Sequence, residues 1–260
     1  MPSSLSFTLI QSPLYWEDKA ANLAMFEKKI MDIQERTEVV VLPEMFSTGF
    51  SMQPQKLAER MDGETVNWMK EIAAAKKIIL TGSVIITEGD HFFNRLLWVL
   101  PDGTLGYYDK RHRFAFAGED REYTAGHKRL IAQVKGWKIN LQVCYDLRFP
   151  VWTRQQSEAE YDVLIYVANW PERRALAWRT LLQARAIENQ SYVVGVNRIG
   201  TDPSGINCAG DSSVVDPLGN ILYQKEHNED IAIVHLNYEE MVKVRRQLPF
   251  LRDADEIIIQ

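Results

Sequence analysis

The sequence has little cysteine: only Cys144 and Cys208 occur among its 260 residues. Two thiols are too few for a disulfide framework, and they lack the paired spacing of a zinc site. The sequence also lacks a His-x-x-Glu-His or related ligand pattern. It therefore predicts no metal site, and we expect a reduced compartment in which a cysteine thiol stays usable.

Excess positive charge, long apolar runs and an export signal are missing as well. The net charge is -5 and the pI is about 5.6, whereas a nucleic-acid binder normally displays a basic face. No run approaches the roughly 18 apolar residues of a membrane span. The opening Met-Pro-Ser-Ser-Leu-Ser lacks the basic start and apolar stretch of a signal peptide. We expect a cytoplasmic protein that binds neither nucleic acid nor membrane.

What the sequence does have is ample apolar material, at 46% of residues, and alternating strand-like and helix-like segments. No change in composition divides the chain, so we predict one α/β domain over residues 1–260. Helices are predicted around 23–33 and over 65–76, 150–157 and 172–189. Strands are predicted over 5–10, 39–42, 78–86, 91–100, 104–108, 130–134, 139–143, 162–168, 191–197, 212–216, 221–224 and 231–236.

Three of these predicted strands end on a reactive side chain. Glu44 follows the strand 39–42, Lys110 follows 104–108, and Cys144 follows 139–143. A side chain at the end of a strand projects at the edge of a sheet, where a substrate can reach it. A carboxylate, an amine and a thiol supply a base, an oxyanion stabiliser and a nucleophile. Together they indicate acyl-transfer chemistry.

Each residue also has an ordinary structural explanation. Cys144 fits a small buried hydrophobe, Glu44 a solvated strand end or helix cap, and Lys110 a charged surface loop. Cys208 is expected to be a packed residue. His112 lies two residues after Lys110 and is the candidate base of a rival cysteine–histidine mechanism.

Three sequence blocks resemble the signatures of the nitrilase superfamily, the carbon-nitrogen hydrolases. They are Leu-Pro-Glu-Met-Phe at 42–46, Asp-Lys-Arg-His-Arg-Phe at 109–114 and Val-Cys-Tyr-Asp-Leu-Arg-Phe-Pro at 143–150. Residues 168–171 and 183–189 also resemble family blocks, so the resemblance covers essentially the whole chain. It is strongest to the omega-amidase branch, which hydrolyses the terminal amide of short dicarboxylic acid monoamides and of their 2-oxo analogues.

The resemblance implies a four-layer αββα sandwich with mixed β-sheets. It also implies a homodimer. The C-terminal tail from about 238 to 260 most simply packs on a neighbouring element, and the resemblance gives the subunit interface as the alternative. The implied substrate is a small-molecule amide, and no cofactor is expected. A nitrilase, a carbamoylase or an aliphatic amidase would use the same triad, and a non-catalytic binding protein on this scaffold is the alternative of another class.

The residues suggest one order of chemical steps. Glu44 takes the proton of the Cys144 thiol, and the sulfur attacks the amide carbonyl. Lys110 and the backbone N–H of Tyr145 stabilise the oxyanion. Glu44 then returns a proton to the leaving nitrogen, and water activated by Glu44 hydrolyses the thioester.

The segment 111–126 shows no periodic pattern and is predicted to be a long loop, a kind of segment that is often functional. Within it, Glu119 matches the second carboxylate of the resembled family, and Glu122 is the competing candidate. Such a carboxylate could orient Lys110 or help to position water.

Residues for substrate recognition are predicted at two places. Trp170 follows a predicted strand and is expected in a pocket wall, with a core position as the alternative, and Tyr145 adjoins the nucleophile. An arginine can bind a substrate carboxylate through two parallel hydrogen bonds. The candidates for that contact are Arg148, Arg173, Arg111 and Arg113, with a structural or solvated role as the alternative for each.

Overall fold

The computed structural model describes residues 4–156, 160–255 and 257. Within these ranges the strands form two mixed sheets. The first sheet has the order β13-β1-β2-β3-β4-β5, with β1 (Ser4–Gln11), β2 (Val39–Val41), β3 (Ile79–Glu88), β4 (His91–Val99), β5 (Leu105–Asp109) and β13 (Asp230–Asn237). The second has the order β10-β11-β9-β8-β7-β6, and β12 pairs with β11. Its strands are β6 (Ile131–Val134), β7 (Trp137–Val143), β8 (Val163–Ala168), β9 (Tyr192–Asn197), β10 (Ile199–Thr201), β11 (Asn207–Val215) and β12 (Ile221–Glu226).

Helices cover the outer faces of the two sheets. The α-helices of the described residues are α1 (Lys19–Met31), α2 (Pro54–Leu57), α3 (Glu64–Lys76), α4 (Glu119–Glu122), α5 (Pro150–Thr153), α6 (Ala175–Asn189) and α7 (Tyr238–Gln247). Helices α1 and α3 pack on the first sheet, and α6 packs on the second. The layers are therefore helix, sheet, sheet and helix, which confirms the predicted αββα sandwich.

The strand β2 shows why both faces of the first sheet are apolar. Consecutive strand residues point to opposite faces. Val39 and Val41 pack in the core between the sheets, while Val40 packs against the helices α1 and α3. A strand that is buried on both faces needs a continuous apolar run, which is what residues 39–42 provide.

Strand direction brings the ends of β2 and β5 to one edge of the first sheet. The strands β2 and β3 run parallel, β4 runs against β3, and β5 runs against β4. After these two reversals β5 runs in the same direction as β2, so Glu44 and Lys110 follow their strands at the same end of the sheet. In the second sheet, β7 and β8 run parallel, and their carboxyl ends lead into Cys144 and Asn169.

An ion pair links the two sheets away from that edge. Glu38, just before β2, accepts hydrogen bonds from the Lys135 ammonium at 2.7 Å and from the backbone N–H of Ser6 at 2.8 Å. Burial alone would raise the pKa of Glu38, but these donors outweigh it and hold the pKa at about 2. The Glu38 carboxylate therefore stays charged over the ordinary pH range.

Several predicted boundaries were wrong. Residues 111–126 contain a 3-10 turn, Ala115–Ala117, and the helix α4. Strand β11 begins at Asn207 rather than at 212, because its polar and glycine residues hide the strand pattern. The short strand β10 was missed altogether. Helix α5 ends at Thr153, before the predicted 157, and residue 157 lies outside the described ranges.

The C-terminal tail contains a helix that was not predicted. Helix α7 buries Met241 and packs Tyr238 against Trp137, with ring centroids 5.1 Å apart. Arg245 of the same helix donates to the Asp162 carboxylate at 3.0 Å. The tail up to α7 thus packs on its own chain, while residues 258–260 lie outside the described part. In that described part, no helix is both long and apolar enough to cross a membrane.

Candidate active site

Glu44, Lys110 and Glu119 meet at the edge of the first sheet. The Lys110 ammonium lies 2.9 Å from Oε1 of Glu44 and 3.0 and 2.9 Å from the two oxygens of Glu119. All three side chains are at most 1% exposed. The backbone N–H of Phe114 donates to Glu119 at 2.5 Å, which fixes this carboxylate from the loop side. Of the two candidate carboxylates, the structure places Glu119 at Lys110. Glu122 instead contacts Gln55 at the surface.

Asn94 connects the two carboxylates on the other side of Lys110. Its Nδ2 donates to Oε1 of Glu44 at 2.8 Å and to Oε1 of Glu119 at 3.3 Å. The backbone carbonyl of Asn94 also accepts from the N–H of Lys110 at 3.0 Å. Asn94, in β4, thereby closes a ring of four side chains.

The second sheet contributes Asn169 to the same carboxylate. The backbone N–H of Asn169 donates to Oε2 of Glu44 at 2.8 Å, and its side-chain amide donates to the Glu44 carbonyl at 2.5 Å. A carboxylate oxygen accepts about two hydrogen bonds. Oε1 of Glu44 already has two donors, Lys110 and Asn94, whereas Oε2 has one. Oε2 is therefore the atom of Glu44 with room for a further proton.

Cys144 lies at the end of β7, where the chain turns from strand to the 3-10 helix Cys144–Arg148. Its φ is +43°, a left-handed conformation that residues other than glycine rarely adopt. Its residual exposure is 9%, and it lines a cavity of about 210 Å³. The thiol is thus the one member of the predicted Glu-Lys-Cys set that lines this cavity.

The charges around the site shift the pKa values of its groups in distinct directions. Burial raises the pKa of the Cys144 thiol well above its usual value, and the Glu44 charge adds to this, while Lys110 and a backbone hydrogen bond from Asn169 oppose it. Burial by itself lowers the pKa of Lys110, but the carboxylates of Glu119 and Glu44 outweigh burial and raise it. Burial raises the pKa of Glu119, and Lys110 opposes that rise. The resting thiol is therefore protonated at neutral pH and needs a base.

His112 does not lie on the cavity. Its Nδ1 lies 2.8 Å from the Asp146 carboxylate, and its ring stacks on Phe149 at a centroid distance of 3.8 Å. Asp146 also accepts from the hydroxyl of Tyr108 at 2.8 Å and from the N–H of Val143 at 3.0 Å. Asp146 thereby ties the turn at Cys144 to the segment around Lys110, and His112 is part of that structural support.

Four arginines border the cavity, of which two were predicted. The predicted Arg148 and Arg173 are exposed, and the cavity also borders Arg174 and Arg198, which sequence reasoning missed. Among the residues that the structure describes, the one acidic residue in the lining is Asp202. Within the described residues, no ion pair or side-chain hydrogen bond engages the guanidinium of Arg148, Arg173 or Arg174. The cavity therefore has a surplus of positive charge.

The other predicted substrate contacts divide between the cavity and the protein interior. Tyr145 and Trp170 both line the cavity, and Trp170 also packs on Trp178 at 5.5 Å, so its two predicted positions are compatible. Arg111 and Arg113 do not line it. Arg111 stacks on the ring of Trp152 at 4.4 Å, and Arg113 donates to backbone carbonyls of its own loop, so both have the structural contacts that were the alternative.

Comparison with known proteins agrees with this architecture. Residues 7–246 match the model of the carbon-nitrogen hydrolase family. The chain is 44% identical to omega-amidase YafV of Yersinia enterocolitica over 99% of both chains. It is 29% identical to a 2-oxoglutaramate amidase of Bacillus subtilis, with 95% of this chain and 96% of the relative covered. The crystal structure of XC1258 from Xanthomonas campestris, a CN-hydrolase superfamily protein, superimposes with a TM-score of 0.96 at 41% identity and 99% coverage of both chains.

These matches confirm the resemblance in the sequence, and they extend over nearly the whole chain. The chain belongs to the carbon-nitrogen hydrolase family of the nitrilase superfamily and is a hydrolase that acts on carbon–nitrogen bonds.

Proposed function

We propose that the chain is an omega-amidase, which hydrolyses the terminal amide of a short dicarboxylic acid monoamide or its 2-oxo analogue. The observation that carries the proposal is the cavity at Cys144, where four arginines face one carboxylate. A substrate with a carboxylate at the end remote from the amide would complement that charge. The omega-amidase and 2-oxoglutaramate amidase relatives support the same substrate class.

The size of the cavity supports a small substrate. Its volume of about 210 Å³ lies below the roughly 300–1,000 Å³ typical of pockets for drug-sized ligands. Apolar and aromatic side chains, including Phe50, Phe114 and Trp170, form much of the wall. A chain of four or five carbons with one polar group at each end suits such a pocket.

In the proposed mechanism, Glu44 accepts the thiol proton of Cys144 at Oε2, the oxygen with a free acceptor position. The sulfur forms a bond to the amide carbon, and the carbonyl electrons move to oxygen. The positive charge of Lys110 and the N–H of Tyr145 stabilise that oxyanion. Glu44 then gives its proton to nitrogen, the carbon–nitrogen bond breaks, and ammonia leaves a thioester on Cys144.

Hydrolysis of the thioester repeats the sequence with water. Glu44 removes a proton from water, the hydroxide oxygen attacks the thioester carbon, and the carbon–sulfur bond breaks. The proton held by Glu44 returns to sulfur, and the dicarboxylic acid leaves. Lys110 stays charged throughout, because the two adjacent carboxylates raise its pKa above the ordinary value despite burial.

The test is ammonia release from a panel of amides by the purified protein. The panel contains succinamate, 2-oxoglutaramate, a neutral aliphatic amide, a nitrile and an N-carbamoyl amino acid. We expect activity on the two acidic amides. Activity confined to any of the other three would refute the proposed substrate class.

Two cysteine variants check the mechanism. Cys144→Ala should abolish turnover and the thioester, which mass spectrometry of the quenched enzyme can detect. Cys208→Ala is the matched control, since Cys208 lines the same cavity and takes no part in the proposed steps. Turnover that survives in Cys144→Ala would refute the mechanism.

A further inference from the structure

Arg198 differs from the other arginines of the cavity because it is buried. It follows strand β9 directly and is 4% exposed, whereas Arg148 and Arg173 are exposed. A buried guanidinium is costly unless its N–H groups are bonded. Its hydrogen bonds therefore show which of its atoms are already used and which remain for a ligand.

Three hydrogen bonds fix the guanidinium of Arg198. Nε donates to Oδ1 of Asn169 at 2.7 Å, and Nη1 donates to the carbonyls of Ile199 at 3.2 Å and Gly200 at 2.7 Å. These bonds occupy the Nε and Nη1 hydrogens and hold the plane of the group. Arg198 is thus pre-organised, and it loses little conformational freedom when a ligand binds.

The remaining nitrogen, Nη2, has no hydrogen bond within the described residues. The nearest carboxylate oxygen, Oδ2 of Asp202, is 3.9 Å away, which is within ion-pair range but too long for a hydrogen bond. The other oxygen of Asp202 already accepts from the N–H groups of Ser204 and Ile206. Two N–H groups of a nearly buried arginine on the cavity wall are therefore free to bind a ligand.

We propose that Arg198 is the anchor for the remote carboxylate of the substrate, which accepts a hydrogen bond from Nη2. This inference rests on the proposed function and specifies which arginine performs the recognition. The exposed Arg148 and Arg173 must lose side-chain freedom to hold a ligand, so they contribute less. A charge-assisted bond from a fixed donor is the stronger contact.

The anchor is also connected to the general base. Asn169 accepts from Arg198 through its side chain and donates to Oε2 of Glu44 through its backbone N–H. A bound carboxylate would hold Arg198, and through Asn169 it would hold the base in place. Loss of Arg198 should therefore raise KM for acidic amides and also lower kcat.

Protection of Cys144 from alkylation tests the anchor without any turnover. Iodoacetamide is the neutral alkylating reagent, and labelling of Cys144 is followed by mass spectrometry in the Cys208→Ala background. The ligands are glutarate, which has a remote carboxylate, and butyrate, which has the same acyl end without it. For the parent protein we expect protection at a glutarate concentration at least about tenfold lower than that of butyrate.

Four variants separate anchoring from structural support. Arg198→Met should weaken protection by glutarate about 10- to 100-fold and leave protection by butyrate unchanged, and Arg198→Lys should restore part of the difference. Arg173→Met should weaken protection by glutarate less than Arg198→Met does, because the exposed Arg173 must lose side-chain freedom to hold the ligand. Arg245→Lys is a matched control, because Arg245 also donates to two backbone carbonyls but lies away from the cavity. Circular dichroism checks that each variant is folded.

Three results would overturn the anchor. They are equal protection of the parent by glutarate and butyrate, unchanged protection of the Arg198 variants by glutarate, and equal weakening with both ligands. If Arg198→Met does not fold, Arg198→Lys and the ligand comparison still decide. If the Arg198 variants lose protection by glutarate but the parent protein releases no ammonia from acidic amides, the proposed function is refuted and the anchor is kept. If the parent protein hydrolyses succinamate and Arg198→Met has the same KM for it, the anchor is refuted and the proposed function is kept.

Discussion

Replacement of Lys110 with methionine would leave two carboxylates buried side by side. Glu44 and Glu119 are both 0% exposed, and each has the Lys110 ammonium within 3.0 Å. Methionine has similar length but no charge and no donor. The variant therefore removes the positive charge that compensates the pair and keeps most of the packing.

The loss of unfolding free energy in Lys110→Met can be bounded from the free energy of protonating one of the two carboxyl groups. Removal of one partner of a buried ion pair typically costs about 3–5 kcal/mol. The site can limit this cost by protonating one carboxyl group. From an ordinary pKa of 4.5, protonation at pH 8 costs about 5 kcal/mol, and at pH 5.5 it costs about 1.4 kcal/mol. We expect Lys110→Met to lose about 4–5 kcal/mol of unfolding free energy at pH 8 and about 1–2 kcal/mol at pH 5.5.

The sign of this pH dependence follows from the carboxylates. Without Lys110, which opposes the effect of burial, the pKa of Glu119 in the folded state rises further above its unfolded value of 4.5. Between those two values the folded state binds more protons than the unfolded state, so the stability of the variant increases as the pH falls. Urea unfolding at the two pH values, followed by circular dichroism, measures the difference.

Two controls make this prediction specific. Lys28→Met changes an exposed pair with Asp32 and should alter stability by less than about 0.5 kcal/mol at either pH. Adding Glu119→Gln to Lys110→Met should recover about 2 kcal/mol at pH 8, whereas Glu119→Gln alone should be destabilising, because Phe114 and Lys110 lose an acceptor. A pH-independent cost, or additive effects of the two substitutions, would refute this account of the site.

Other predictions concern residues around the site and the sheets. Asn94→Ser should lower kcat/KM by about 10- to 100-fold and shift the pH profile of kcat/KM, because the Glu44 and Glu119 carboxylates lose a shared donor. The buried control Asn140→Ser should change kcat/KM by less than about threefold. Equal effects of the two substitutions would show a general packing defect. Gly126→Ala places a Cβ 1.9 Å from the carbonyl oxygen of Asp109, so the strand end that carries the site lysine must move. Activity should fall at least about 100-fold and unfolding free energy by about 1–3 kcal/mol, and normal activity would contradict the close contact. Glu38→Gln should lower the free energy of unfolding by about 1–2 kcal/mol at pH 7, after allowance for solvent screening. This cost should disappear as the pH falls from 4.5 towards 2, because Glu38, with its lowered pKa, stabilises the fold only while its carboxylate is charged. A cost that persists at low pH in urea titrations would exclude the ion pair as its cause. The homodimer implied by the family predicts twice the 30.0 kDa chain mass in light scattering, and a single chain mass would refute it.

Local sequence patterns were enough to identify most secondary structure. The apolar run 39–42 and the helical spacing after residue 22 are local signals, and they predicted β2 and α1. Such signals are weak where a strand is short or polar, as in β10 and the first half of β11. There, pairing with a distant strand decides the conformation.

Contiguous motifs were enough to predict the family and the three reactive residues, and the resemblance to that family implied the sandwich. The contacts between these residues became visible in the folded chain. Asn94 and Arg198 lie in no motif of their own, and Asn169 lies in the block 168–171. Strand pairing brings Asn94 and Asn169 to Glu44 from distant parts of the chain, and it brings Arg198 to Asn169. The choice of Glu119 over Glu122 depended in the same way on which carboxylate the fold buries against Lys110. Contacts between distant segments depend on the direction and register of the strands, and a linear pattern does not carry that information.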